Sequence, residues 1–137
     1  MKVKLDPGAK LPTRAHDTDA GLDLYAREAF EIPAMGSASH DTGVHLAIPE
    51  GYVGDVKSKS GLMVKHDITT DGTVDCGYTG AIRVKLFNHS MKAFQVEAGQ
   101  KIAQLVIKKI ITPELELVGD LEATERGSGG FGSTGKF

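Results

Sequence analysis

A single cysteine, Cys76, stands in the whole chain. No intrachain disulfide can form, and a reducing compartment fits. Tryptophan is absent and net charge is small, with 16 basic against 18 acidic residues. That balance leaves no electrostatic footprint for a nucleic-acid polymer or an anionic membrane surface. A nucleotide-sized anion is still within reach of a few local cations. No run approaches the ~18 apolar residues of a membrane span, and Met1–Asp6 lacks the apolar stretch of a signal peptide. These absences predict a soluble, cytoplasmic protein. Its 137 residues suit one domain with one compact core.

Glycine is plentiful, at 17 residues, and punctuates short segments rich in Val, Ile, Leu and Tyr. Leu22–Ala26, Val44–Ile48, Tyr52–Val56 and Ile82–Phe87 alternate apolar and polar, or nearly so. This is the period of half-buried strands. Short strands with regular turn signals predict an all-β sandwich or barrel. Two segments depart from the pattern. Ile102–Ile111 is apolar at both parities and also fits a helix template through Ile102, Leu105 and Val106. Its β-branched content, with Gly99 before and Pro113 after, favours a strand covered on both faces. In so small a domain one cover can come from another subunit. Ser60–His66 reads as a short helix with Ser60 as its N-cap. The body is expected over residues 1–120, with 121–137 as a flexible C-terminal arm.

Four segments carry candidate chemistry. The last twelve residues, Arg126–Phe137, hold five glycines, an arginine and Phe131. Gly-rich backbone N–H groups can cradle an anion, Arg126 can grip phosphate with its planar fork, and Phe131 can stack on a base. The same composition also describes a plain Gly/Ser tail. Gly72–Ile82 brackets Asp75 and Tyr78 between glycines in an expected hairpin. Backbone groups there can read a base edge, and Asp75 can act as general base on a water; the segment also reads as an ordinary turn with an acid. Lys57–Leu62 joins two hydroxyls, two cations and a glycine at a helix start, either an anion site or a capped helix with solvated lysines. Asp23, between apolar neighbours, is either surface-facing or held in a polar site; Mg²⁺ typically takes one or two carboxylates alongside substrate phosphates.

Together, in order and spacing, these segments resemble the trimeric dUTP pyrophosphatases (dUTPases). The resemblance runs from about Lys10 to Phe137 through five motifs: Asp19–Leu24, Lys59–Leu62, Gly72–Gly80, Gly99–Leu105 and Arg126–Gly135. It implies a jelly-roll-like, distorted β-barrel with one short helix, assembled as a homotrimer whose active sites are shared between subunits. The implied reaction is dUTP + H₂O → dUMP + pyrophosphate, which limits uracil incorporation into DNA and supplies dUMP for dTTP synthesis. Asp75 is implied to activate the water that attacks the α-phosphorus. Tyr78 is implied to pack on the deoxyribose and leave no room for a 2′-OH. The backbone of the Gly72–Arg83 segment, including Thr73 and Val74, is implied to read uracil. Lys59, Ser60, Gly61 and Gln104 fall at phosphate positions. Arg126 and the Gly-rich backbone, with Gly132 and Ser133, are implied to clamp the γ-phosphate while Phe131 covers the base. Asp23 is implied to touch Mg²⁺ through water, the ion riding on the triphosphate.

One departure stands out. The family usually has Pro-Arg-Ser-Gly-Leu in the second motif, and this chain has Ser58-Lys59-Ser60-Gly61-Leu62. Lysine keeps the charge and loses the bidentate fork, which predicts a weaker phosphate grip or slower turnover. Two rival readings remain. A related dCTP deaminase would need a glutamate base where this chain has Lys85. A regulatory relative of the phage type acts through protein contacts, with or without turnover; an inactive binding module would not need Asp75, Tyr78, Arg126 and Phe131 together.

Overall fold

A computed structural model describes residues 1–130. Eleven strands and one helix follow in chain order: β1 Lys2–Leu5, β2 Gly21–Tyr25, β3 Phe30–Ile32, β4 Ser37–Asp41, β5 Val44–Ala47, β6 Tyr52–Lys57, α1 Ser60–His66, β7 Ile68–Thr69, β8 Asp71–Val74, β9 Arg83–Asn88, β10 Phe94–Val96 and β11 Lys101–Lys109. The expected alternating segments are all strands. β9 is the cleanest, with Val84, Leu86 and Asn88 buried and Arg83, Lys85 and Phe87 facing out, as a half-buried strand requires.

The strands pair into four small sheets, all antiparallel where they meet: β2-β11-β6-β8, β4-β9-β7, β1-β5 and β10-β3. Among the described residues they do not close into a single hydrogen-bonded barrel; the all-β, jelly-roll-like arrangement with one short helix is as expected. One aliphatic core joins them. Leu24, Ile32, Ile68, Ile82, Leu86, Ile102 and Leu105 are all but inaccessible to solvent. Their burial is the main stabilising term, at about 1.5–3 kcal/mol for each large aliphatic side chain before the entropy of folding is set against it.

The doubly apolar segment is β11, a central strand between β2 and β6. Its first half is covered on both faces by its own chain: Ile102, Ala103 and Leu105 are buried, with a bulge between Lys101 and Ala103. Beyond Leu105 the cover thins, and Val106 and Ile107 are only half-buried. Gly54 of β6 lies where a Cβ would stand 2.9 Å from Ile48 and 3.0 Å from Leu105, so only glycine lets β6 pack this closely. Ile110 donates its N–H to the Gly51 carbonyl. From Ile111 to Gly130 every residue is exposed and none is in a helix or strand, and the boundary expected at residue 120 falls inside this stretch.

Two local expectations need correction. The helix spans Ser60–His66, but its N-cap position is Lys59, in extended conformation, and no side chain caps it. Ser60 is therefore the first helical residue, and Ser58 is engaged elsewhere. The Gly72–Arg83 segment is no regular hairpin. Its flanking strands belong to different sheets: β8 pairs with β6, and β9 with β4 and β7. Between them, Asp75–Ala81 is a largely exposed connection between two layers that lies outside both ladders.

Candidate active site

The sequence-predicted residues gather at two places. The first is a cleft of about 220 Å³ lined by Thr73, Val74, Asp75, Tyr78, Ile82 and Arg83, with Gly72 just before it on β8. Buried Val74 and Ile82 anchor its two sides. Asp75 is exposed at the start of the turn. Gly77 carries φ +84°, a left-handed conformation that glycine adopts without strain. The chain then folds back, and Tyr78 donates its hydroxyl to the Ala81 carbonyl at 3.0 Å. The tyrosine lies against Gly80, where a Cβ would meet its hydroxyl at 2.4 Å and its ring at 2.5 Å. Gly77 and Gly80 are thus what let Tyr78 lie flat along the cleft wall. Arg83 reaches Asp41 at 3.3 Å.

The second place joins the first, second and fourth motifs. Asp23 on β2 is 4% exposed and faces Gln104 of β11 in the register. One carboxylate oxygen accepts from Lys59 Nζ at 2.5 Å and the other from Lys101 Nζ at 2.6 Å. Burial pushes the Asp23 carboxyl up. Hydrogen bonds from Lys101 and Lys59, with their charges, overcome this and hold it below its ordinary value. The same contact raises the Lys101 ammonium. Of the two environments open for Asp23, the polar site is the one observed. One carboxylate against two ammoniums leaves a surplus positive charge, as an anion site needs. Gly61, Lys65, His66, Gln100 and Lys101 join Lys59 around a pocket of about 280 Å³.

Gln104 organises this end. A Cβ on Gly21 would stand 2.3 Å from the Gln104 side-chain oxygen. With glycine there, the Gln104 side chain fits against β2 and its amide donates to the Ser58 carbonyl at 3.0 Å. The Ser58 hydroxyl donates to the Thr70 carbonyl and accepts the Thr70 N–H, both at 2.9 Å. The first, second and fourth motifs are thereby locked to the strand that leads into the third.

Strand register sets the two places apart. β6 and β8 pair from Lys57↔Asp71 to Gly54↔Val74. Asp75 therefore follows the end of β8, level with Val53 near the start of β6, and Lys59 lies beyond the far end of β6. Six residues of strand separate these levels, roughly 20 Å at ~3.3 Å per residue. Arg126 is exposed and donates through Nε to the Gly129 carbonyl at 2.9 Å. Phe131, Gly132 and Ser133 lie outside the described residues.

A family model described as dUTPase matches residues 8–135. The chain belongs to the dUTPase family. A deoxyuridine 5′-triphosphate nucleotidohydrolase of Yarrowia lipolytica is 46% identical, covering 96% of this chain and 85% of the relative. One of Clostridium tetani is also 46% identical, covering 99% and 97%. Among solved structures, the dUTPase of Staphylococcus bacteriophage 80alpha with dUpNHpp superposes with a TM-score of 0.91 at 34% identity, covering 98% and 97% of the two chains. A mutant dUTPase of phage phi11 of S. aureus, described with a structural Mg(II) ion, gives 0.82 at 31%, covering 89% and 98%.

Within the dUTPase frame, reading the sequence missed Lys101. It lies inside the fourth motif, Gly99–Leu105, but nothing local shows that β11 pairs with β2 and sets its ammonium on Asp23. A buried acid flanked by apolar residues on a strand was the one available signal that a cation had to come from elsewhere.

Proposed function

We propose that the chain is a dUTP diphosphatase that hydrolyses dUTP to dUMP and pyrophosphate by attack of water on the α-phosphorus. The single observation that carries the reading is the placement of an exposed acid, Asp75, beside a flattened tyrosine in a cleft edged by β8, an edge strand unpaired on its outer side. That is the equipment for reading a nucleoside and activating a water at its 5′ side. Asp75 orients the water and takes its proton. Tyr78 packs on the deoxyribose and excludes a 2′-OH. Backbone groups of Gly72, Thr73, Val74 and the following turn read the uracil edge, and Arg83 closes that wall.

The phosphate tail belongs to Lys59, Ser60 and Gly61, with Gln104 holding the loop that presents them. Arg126 and the residues from Phe131 to Ser133 serve as the clamp, Arg126 for phosphate and Phe131 for the base. Both Asp23 oxygens accept from lysines, so direct ligation of a metal by Asp23 does not fit. A Mg²⁺ ion carried by the substrate phosphates does fit, because the triphosphate then supplies its oxygens. When bound there, the ion supplies charge neutralisation for attack at phosphorus. The Lys59 ammonium lies beside that charge and can turn from Asp23 to the phosphates while Lys101 keeps the carboxylate paired.

The separation of roughly 20 Å along β6 is too long for one nucleotide to join Asp75 to Ser60 of the same chain. We therefore propose a homotrimer in which the cleft of one subunit faces the phosphate loop of the next, with the 121–137 arm of the third closing over both. Two surfaces support the assembly. Ile111, Leu115, Leu117 and Leu121 are each more than four-fifths exposed, and an apolar groove of about 400 Å³ lies among Val3, Leu11, Leu22, Tyr52 and Ile107. Apolar area of this extent is normally covered by a partner.

Pyrophosphate release with Mg²⁺ from dUTP, dCTP, dTTP and UTP in parallel tests the reading. Release from dUTP alone is expected. Equal release from UTP would remove Tyr78 from the sugar pocket, and no release from any would overturn the assignment. Light scattering of the same sample should give three chains per particle; a monomer that retains turnover would sink the shared site.

A further inference from the structure

The Asp75–Ala81 turn has few ties to the body. Its internal bonds are Tyr78 N–H to the Asp75 carbonyl, long at 3.3 Å, and the Tyr78 hydroxyl to Ala81. Among the described residues one side chain from elsewhere holds it. His45 of β5, half-buried, places Nδ1 2.8 Å from the Thr79 carbonyl. On the ring's other side, Nε2 lies 3.1 Å from Asp6 Oδ1, close enough for an ion pair although outside hydrogen-bond geometry.

The chemistry of these partners fixes the proton count. A carbonyl oxygen and a carboxylate can only accept. The bond to Thr79 requires a hydrogen on Nδ1. A neutral ring would then turn the Nε2 lone pair toward the Asp6 carboxylate, which is repulsive. Only the imidazolium satisfies both sides. Lys4, opposite His45 in the β1–β5 register, lies 4.0 Å from Asp6. Arg27 lies 3.9 Å from Asp6, and Lys2 lines the same crevice. These three cations oppose the imidazolium; Asp6 is the acid that faces it.

We propose that His45 is a positioning residue for the nucleotide-reading turn, its imidazolium bridging the Thr79 carbonyl and the Asp6 carboxylate so that the N-terminal strand holds the turn in place. This rests on the dUTPase reading for its consequence, since the turn carries Tyr78 and Gly80, and not for its geometry. The bond to the Thr79 carbonyl and the carboxylate of Asp6 raise the imidazole's proton affinity, so the bridge persists to higher pH than a free imidazolium would. It weakens as pH rises through the raised value, when the Asp6 side is lost first.

The test combines NMR of the full, nucleotide-free protein with kinetics on wild type, His45→Phe, His45→Asn and Asp6→Asn. The His45 ring should titrate above its ordinary value of 6.5 in wild type and fall back toward it in Asp6→Asn. His45→Phe should shift the amide resonances of residues 78–81. It should raise KM for dUTP about 3–10-fold with kcat within about twofold, the scale of one lost hydrogen bond. His45→Asn, whose side-chain amide can replace the Nδ1 donor, should restore most of that loss. Wild-type KM should climb at alkaline pH, and Asp6→Asn should flatten the climb. Turn resonances unmoved by His45→Phe, or a loss confined to kcat, would overturn the proposal. Shifted turn resonances in a protein that hydrolyses no dUTP would support the tether and overturn only the dUTPase reading.

Discussion

The two ends of the β2-β11-β6-β8 sheet carry two carboxylates in opposite circumstances. Asp23 is buried, and both its oxygens are taken by lysines of its own chain. Asp75 is exposed, in an open cleft between Val74 and Ile82. The Asp23 end is electrostatically complete before any ligand arrives; the Asp75 end is not. Structural acids and reactive acids in this fold are therefore distinguishable by how many of their acceptor sites the chain itself fills. Filled sites fix a loop. Open ones are free for the water and nucleotide of the proposed reaction.

The sharpest way to break that contrast is Asp75→Asn. Turnover should fall roughly 10²–10⁴-fold, the usual worth of a general base, while a non-hydrolysable dUTP analogue still binds in calorimetry. Retained turnover would strip Asp75 of its role. Next in size is removal of residues 126–137. Loss of a charged phosphate contact predicts a drop of roughly 10–100-fold in kcat/KM with an unchanged melting curve; equal kcat/KM would end the clamp hypothesis.

Asp23→Asn probes the complete end. Two ammoniums lose their counter-charge, and urea unfolding should show about 1–3 kcal/mol of destabilisation, moderated because both lysines can reach solvent. Its pH dependence has a fixed sign. The folded carboxyl lies below its ordinary 3.8, so its contribution is present above that value and lost as pH falls through the depressed one. The stability gap between wild type and variant should be full at neutral pH and close as pH falls below 3.8; a gap that stays constant into acid would contradict this. The smallest effect is expected from Gly21→Ala. The added methyl displaces the Gln104 amide from Ser58 and should raise KM about 2–5-fold, within the worth of one hydrogen bond, with stability nearly kept. No change in KM would show that the Ser60 loop holds its shape without Gln104.

Much of this was legible in the residues. Alternation located β2, β5, β6 and β9, and Ser60–His66 proved to be the helix. The strands that escaped are those without a pattern to find. β3 and β10 are three residues long, β4 is Ser37-Ala38-Ser39-His40-Asp41 with little apolar content, and β1 is exposed along its whole length. The hairpin expectation failed because glycines announce a reversal without saying which sheet each arm joins. The Lys101–Asp23 contact and the His45 bridge both depend on pairings between segments distant in the chain, which no local spacing encodes. The family motifs supplied the candidate residues; the register of β6 against β8 supplied their distance from one another.

That register has a genetic consequence. When half of a reaction centre sits at each end of a sheet, defects at opposite ends are not alleles of one lesion. In the proposed trimer, a subunit lacking Asp75 and a subunit lacking Ser60 should each be inactive as pure assemblies. Refolded together, they can place an intact cleft against an intact phosphate loop, so two silent preparations should yield measurable turnover when mixed. Two preparations that both lack Asp75 should stay silent. Complementation between chains, rather than within one, is the behaviour that this strand pairing makes available to the protein.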